Sequence, residues 1–315
     1  MKSLITAFIV IICGINSFGF SGQGDVLDLV YSLQSKKYTT DELQEVVSSN
    51  FHEPDSIAKF FYYWMALNIE YDYSLKNLVV SDQYEDSYYY DQLSPQSVYE
   101  NRKAVCSGYA RLFKYFLNHF DIECEVVSGY SKTQDKLFDT KAQIDHAWNV
   151  LKIAGKWHLV DVTWASSTKQ DKEVTGFYYK TPPELFILSH LPVDERWQLM
   201  EKKLSIEAFN EMPHITFKYS DLGFGCTVPV IKDEVGSYTI TIGKSDKWTA
   251  TVKVGDTQGA FTGIRVEKNI LKSSQELSFS LDTKKPLVIR LDAYRIDEDK
   301  GTLFQEPELA YFVLR

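Results

Sequence analysis

The chain has 315 residues, 44% of them hydrophobic and 14% aromatic, which is enough to fill ordinary globular cores without staples and enough length for two domains. A net charge of −9 with no basic run excludes nucleic acid as a partner and offers nothing to an anionic membrane surface. No metal or cofactor motif, phosphate-binding glycine loop, calcium loop or internal repeat is present, so neither cofactor nor metal is expected.

Residues 1–21 carry Lys2, the apolar run "LITAFIVIICGI" and small residues at Gly19 and Ser21. This patterning predicts a secretory signal peptide cleaved near Ser21, hence a secreted or periplasmic protein, and the run is short for a membrane span. Cys13 has no small residues before it, so no lipid attachment is expected. Beyond it three cysteines remain, Cys106, Cys124 and Cys226, an odd number that in an exported protein implies at least one free thiol or an intermolecular bridge. Cys106 is the candidate for the free one; Cys124 and Cys226 either pair across the two domains or stay as two isolated buried thiols, the reading favoured because the chain is not disulfide-dense.

Thr39 and Glu42 form a capping box before a first helix, and Pro54 opens a second whose apolar positions Ile57, Phe60, Phe61, Trp64, Leu67 and Tyr71 share a face. From Ser81 to Gln92 four acids and four tyrosines follow neither period, which predicts a surface loop. In "RKAVCSGYARLFKYF", Cys106 precedes Tyr109, Ala110, Phe113, Phe116 and Leu117 at helical spacing, with Arg111, Lys114 and Asn118 opposite. The pattern puts Cys106 at a helix N-terminus, where unpaired amides and the helix dipole favour the thiolate.

A strand is predicted from about Glu123 to Gly129, then an irregular stretch to Gln143. "DHAWNVLKIAGKWHLVDVTWA" reads as a hairpin turning at Ala154-Gly155, with cross-strand partners summing to 309. Trp148 then opposes Asp161 and His146 opposes Thr163, which makes His146 and Asp161 diagonal neighbours on one face. His158 has the opposite parity, which argues against a metal site built from His146, His158 and Asp161. A helix-end cysteine with a histidine held by a carboxylate is the arrangement for thiol acyl chemistry.

"VCSGYARLFKYFLNHFDIECEVVSGY", "HAWNVLKIAGKWHLVDVTWA" and "NIEYDYS" resemble the transglutaminase-like superfamily, over about Pro54 to Trp197. "FYYKTPPELFILSHLPVDERWQLM" is similar to the segment that follows this core in the kyphoscoliosis-peptidase branch. The resemblance implies a papain-like α+β fold, with Cys106 as nucleophile, His146 as general base and Asp161 as its orienter through Nδ1. It also implies an oxyanion hole using the Cys106 amide and a side-chain donor that the sequence does not place. Trp64 and Trp148 are read as core aromatics and His190 as a packing or loop-fixing residue. Asp161→Asn is expected to slow the chemistry while leaving the fold intact.

From about Ser205 short alternating runs recur, including "HITFKYS", "SYTITIGK", "WTATVKVG", "FTGIRVEK" and "PLVIRLDAYRI". They predict an all-β domain, an immunoglobulin-like sandwich or a barrel. The expected division is 1–21 signal peptide, 22–204 catalytic domain with N-terminal helices and 205–315 β domain. Two functions follow: a cysteine peptidase or acyltransferase acting on a protein or peptide substrate, or a binding module that retains the fold.

Overall fold

The computed structural model describes residues 23–34, 36–137, 143–169, 173–225, 227–234, 236–255, 260–281, 287–297 and 299–314. The expected signal peptide and Cys226 lie outside the described residues. No helix among the described residues is long and apolar enough to cross a membrane.

Three helices lead the chain: α1 (Gln23–Ser32), α2 (Thr40–Asn50) and α3 (Pro54–Asn68). The capping box forms as predicted, with Thr39 N donating to Glu42 at 2.8 Å and the Glu42 amide donating back to Thr39 Oγ1 at 3.2 Å. Pro54 in the first turn of α3 costs no hydrogen bond, because that amide has no intrahelical partner. Phe61 of this helix stacks on Phe116 at 4.3 Å, which ties α3 to the cysteine helix.

The strand β1 (Glu70–Tyr71) is separated from its partner by α4 (Tyr73–Val80), α5 (Asp86–Gln92) and α6 (Pro95–Asn101). That partner, β2 (Lys103–Ala104), runs parallel to it with Tyr71 beside Ala104. The expected loop at Ser81–Gln92 is thus corrected, since α5 occupies its second half. This helix buries none of its residues, so no apolar stripe marks it in the sequence. Next comes α7 (Cys106–His119), entered from an extended Val105, with Tyr109, Ala110, Phe113, Phe116 and Leu117 buried and Arg111 and Asn118 exposed.

Beneath α7 lies a five-stranded antiparallel sheet built from β3 (Cys124–Ser131), β4 (His146–Ile153) and β5 (Lys156–Val160). After α8 (Val162–Ser167) come β6 (Tyr179–Thr181), α9 (Pro183–Phe186) and β7 (His190–Pro192). The strand order is β6-β5-β4-β3-β7. Ala154 and Gly155 both take positive φ, 50° and 77°, the twist of a two-residue primed turn, and Asn149 pairs with Val160 in the predicted register. The ladder stops there. Asp161 does not oppose Trp148, nor Thr163 His146: the Asp161 side chain caps α8 and its amide donates to Tyr178 O at 3.0 Å, so the chain leaves the sheet. Asn149 fastens sheet to helix by donating Nδ2–H to Ala110 O at 3.0 Å.

The C-terminal part opens with α10 (Ile206–Glu211), β8 (His214–Ile215) and α11 (Phe217–Asp221). Strands β9 (Val230–Asp233), β10 (Ser237–Gly243), β11 (Thr249–Gly255), β12 (Phe261–Gly263) and β13 (Glu267–Ile270) follow. The chain ends in β14 (Ser274–Ser280), β15 (Leu287–Asp297) and β16 (Thr302–Leu314). They form two antiparallel sheets, β13-β14-β10-β9 and β12-β11-β15-β16-β8, instead of one closed barrel. Ile240, Ile242 and Leu277 of the first and Val252, Ile289 and Leu291 of the second are buried in one apolar cluster. Two predicted strands are corrected. "HITFKYS" gives a two-residue strand and then α11, whose Tyr219 is buried with its hydroxyl donating to Thr227 O at 2.8 Å. "FTGIRVEK" divides into β12 and β13, which belong to different sheets.

Candidate functional site

The N-cap Val105 supplies no side-chain cap to α7, so the first-turn amides of Cys106 and Ser107 carry the positive end of the helix with no side chain screening it. Cys106 is half-buried and is a free thiol. His146 and the Ala147 amide at the start of β4 are the groups that act on its thiol in favour of the thiolate. Burial pushes the thiol up, but the hydrogen bond and charge of His146, with the Ala147 amide, outweigh it and the thiol ends lowered.

His146 Nε2 stands 2.7 Å from Asp161 Oδ2, and both side chains are buried. Since Nε2 is engaged there, Nδ1 is the nitrogen left to the thiol. The expected Nδ1 contact with Asp161 is therefore corrected: the strand end brings the ring in with its far nitrogen toward the carboxylate. Burial works against the imidazolium, yet the charge and hydrogen bond of Asp161, then those of Cys106, push His146 up to about 10. Asp161 is opposed by burial and held well below the usual carboxylate range by His146 and His190. Its other oxygen, Oδ1, accepts from Trp164 N at 2.9 Å and caps α8.

His190 belongs to this cluster, a role the sequence did not assign. Its Nε2 lies 3.0 Å from Asp161 Oδ2 and its Nδ1 2.8 Å from Ser189 Oγ. Burial lowers its affinity for a proton, and the charge of His146 works in the same direction. No period or spacing in "FILSHLP" marks it, because β7 reaches the sheet edge only through its pairing with β3. Two tyrosines also flank the thiol: Tyr71 and, from α5, Tyr89 both pack against the small apolar cluster that holds Val105. His158, by contrast, points to the other face among Lys156 and Lys180 and takes no part. Trp64 and Trp148 are buried as expected, 3% and 1% exposed.

His146, Asp161 and His190 each place a ligand atom within 4.8 Å of the others. Their contacts of 2.7 and 3.0 Å are tighter than the separation of roughly 3.3 Å that two ligands about 2.0–2.1 Å from one tetrahedral zinc require, so the residues fit a hydrogen-bonded cluster better than a metal centre.

The family model described as "Transglutaminase-like superfamily" matches residues 41–162. The chain is 30% identical over 233 residues to "Kyphoscoliosis peptidase" of Homo sapiens, covering 70% of this chain and 34% of that protein. It is 26% identical to "Hillarin" of Drosophila melanogaster over 47% of this chain and 21% of that protein. It is 31% identical to "cytokinesis protein 3" of Schizosaccharomyces pombe (strain 972 / ATCC 24843) over 36% of this chain and 14% of that protein. The chain thus spans about a third, or less, of the length of these relatives. With the family match over the helices and sheet that carry Cys106, His146 and Asp161, this chain belongs to the transglutaminase-like superfamily, in its kyphoscoliosis-peptidase-like branch.

Proposed function

We propose that the protein is an exported thiol enzyme acting on amide bonds of a protein or peptide substrate through a Cys106-His146-Asp161 triad. The observation that carries this reading is the buried His146–Asp161 pair, Nε2 to Oδ2 at 2.7 Å, set against a helix-end thiol on which His146 acts. The lowered thiol and raised imidazole favour a thiolate–imidazolium pair at neutral pH. The Cys106 thiolate attacks the carbonyl carbon, and the first-turn amides of α7 face the oxyanion that forms. Collapse breaks the C–N bond, the His146 proton leaves with the amine, and a thioester remains. His146, now neutral, takes a proton from water in hydrolysis or from an amine in acyl transfer, and the attack on the thioester frees Cys106.

Export is part of the proposal and rests on the apolar segment within residues 1–21. The test is incubation of the purified protein with a peptide library, with and without a primary amine, read by mass spectrometry. Cleaved or amine-adducted peptides that disappear in Cys106→Ala support the enzyme. No product in either condition, with the thiol inert to alkylation, supports instead a binding module that keeps the fold.

A further inference from the structure

His190 enters the site from β7, the edge strand, and is wholly buried. Its ring stacks on Phe186 at 4.0 Å and lies 4.2 Å from the Trp164 ring, so it has no freedom to turn. Asp161 Oδ2 only accepts hydrogen bonds, so the His190 Nε2 that stands 3.0 Å away carries hydrogen. On the other side the Ser189 hydroxyl has two acceptors within reach, His190 Nδ1 at 2.8 Å and Phe186 O at 3.4 Å; donation along the shorter contact leaves Nδ1 the acceptor, and a neutral imidazole then satisfies both ring contacts. One carboxylate oxygen consequently receives two imidazole donors, His146 at 2.7 Å and His190 at 3.0 Å.

We propose that His190 is a positioning residue for the thiol site: a permanently neutral imidazole that pins Asp161 and draws off part of its charge, so that Asp161 does not bind the His146 proton too tightly. This rests on the thiol function proposed above. A base held only by Asp161 keeps its proton when the leaving amine needs it, whereas one whose carboxylate is shared releases it more readily. The other titratable groups facing the cluster do not carry this role. Tyr62 of α3, Tyr109 of α7 and Tyr178, just before β6, all feel the Asp161 charge, and burial pushes each of them up, so they stay neutral. Asp221 of α11 acts on Tyr62 and Tyr178, and Cys106 acts on His146.

The test uses the full chain as wild type, His190→Phe and His190→Gln. Phenylalanine fills the stacked volume without a donor, and glutamine returns an N–H near the Nε2 position. Two measurements are made: the rate of Cys106 alkylation by iodoacetamide against pH, and imidazole nitrogen-15 NMR of the wild type. The expected result is a His190 that stays neutral with hydrogen on Nε2 from pH 5 to 9. In His190→Phe the Cys106 midpoint moves down and the His146 midpoint moves up, each by about 0.5 of a pH unit or more, and His190→Gln returns both toward wild type. A His190 that is cationic or Nδ1-protonated in that range, a His190→Phe profile that superimposes on wild type, or a glutamine variant that behaves like phenylalanine overturns the proposal. Should His190→Phe fail to fold, the wild-type tautomer and the glutamine profile decide together: a neutral Nε2–H with wild-type midpoints supports it, any other pair overturns it. A wild-type thiol without a lowered midpoint defeats the thiol reading itself, and the NMR arm still reports the state of His190.

Discussion

His146 and Asp161 meet through Nε2 and Oδ2 at 2.7 Å, while the second oxygen of the same carboxylate holds the first turn of α8 at Trp164 N, 2.9 Å away. One buried side chain therefore serves both the imidazole and the fold. Its two oxygens face three N–H donors, from His146, His190 and Trp164, and a carboxylate accepts from all of them.

Asp161→Asn breaks this arrangement in either amide orientation. With its oxygen toward Trp164, the NH2 group meets two histidine N–H groups; turned around, it meets the Trp164 amide. The variant should lose about 1–3 kcal/mol of stability, the usual cost of a buried donor left unpaired, together with most of its thiol reactivity. This revises the sequence-based expectation of an intact fold. Thermal melting and iodoacetamide labelling on the same sample check it; normal reactivity in a destabilised protein would sink the triad.

The pH dependence follows from the directions of the shifts. Cys106 is lowered from the ordinary thiol range, and His146 is raised from 6.5 to about 10. Alkylation should climb with a midpoint below that of a free cysteine, about 8.5, and change again near pH 10 as His146 loses its proton. Stability follows the same groups. The raised His146 contributes fully below pH 6.5, and that contribution is lost as pH rises toward 10. The depressed Asp161 contributes above pH 3.8 and is lost as pH falls below it. Melting temperature measured from pH 3 to 10 should decline at both ends.

The cysteine helix and the hairpin register were legible because each rests on a local rule. The apolar period of Tyr109, Phe113 and Phe116 marks a helix, and Ala154-Gly155 fixes which residues oppose. The end of the ladder was not legible, because Asp161 leaves the sheet through a side-chain cap that competes with strand pairing. His190 was hidden for a different reason. Its 3.0 Å contact with Asp161 joins residues 29 positions apart through tertiary packing, which no local pattern records. The exposed α5 escaped because it has no apolar face to read.

Parity separates the two hairpin histidines. His146→Ala should abolish the pH-dependent activation of Cys106, whereas His158→Ala, on the opposite face, should leave the alkylation profile within experimental scatter. Equal losses in two folded variants would contradict the register.

Cys106 and Cys124, the free thiols among the described residues, should differ as strongly. Cys124 is buried against Asn149, and burial pushes its thiol up to about 12, so thiolate is scarce there at neutral pH. Limited iodoacetamide at pH 7 followed by peptide mapping should find the label on Cys106 and leave Cys124 unmodified. Comparable labelling of Cys124 in the folded protein would mean that the sheet opens at β3.

Gly129 carries the last prediction, because it is the residue on which the histidine strand is seated. In β3 it pairs with His146 on one side and with Pro192 of β7 on the other. A Cβ added there would lie 2.2 Å from Leu191 O and 2.4 Å from the Trp148 ring, inside any normal contact distance. The first neighbour is backbone of the strand that presents His190, and the second belongs to a side chain 1% exposed in a packed core, so neither has room to yield. Gly129→Ala must therefore push β7 outward or tilt Trp148, and either motion moves an imidazole relative to Asp161. Overpacking of this kind costs about 1–3 kcal/mol. The expected outcome is a lower melting temperature together with a Cys106 midpoint shifted back toward that of a free thiol. Ser128→Ala, one residue away and opposite Ala147, serves as the control and should change neither quantity. A Gly129→Ala protein that melts lower yet keeps the wild-type alkylation profile would show that the imidazoles are held by Asp161 alone, independent of the strand beneath them.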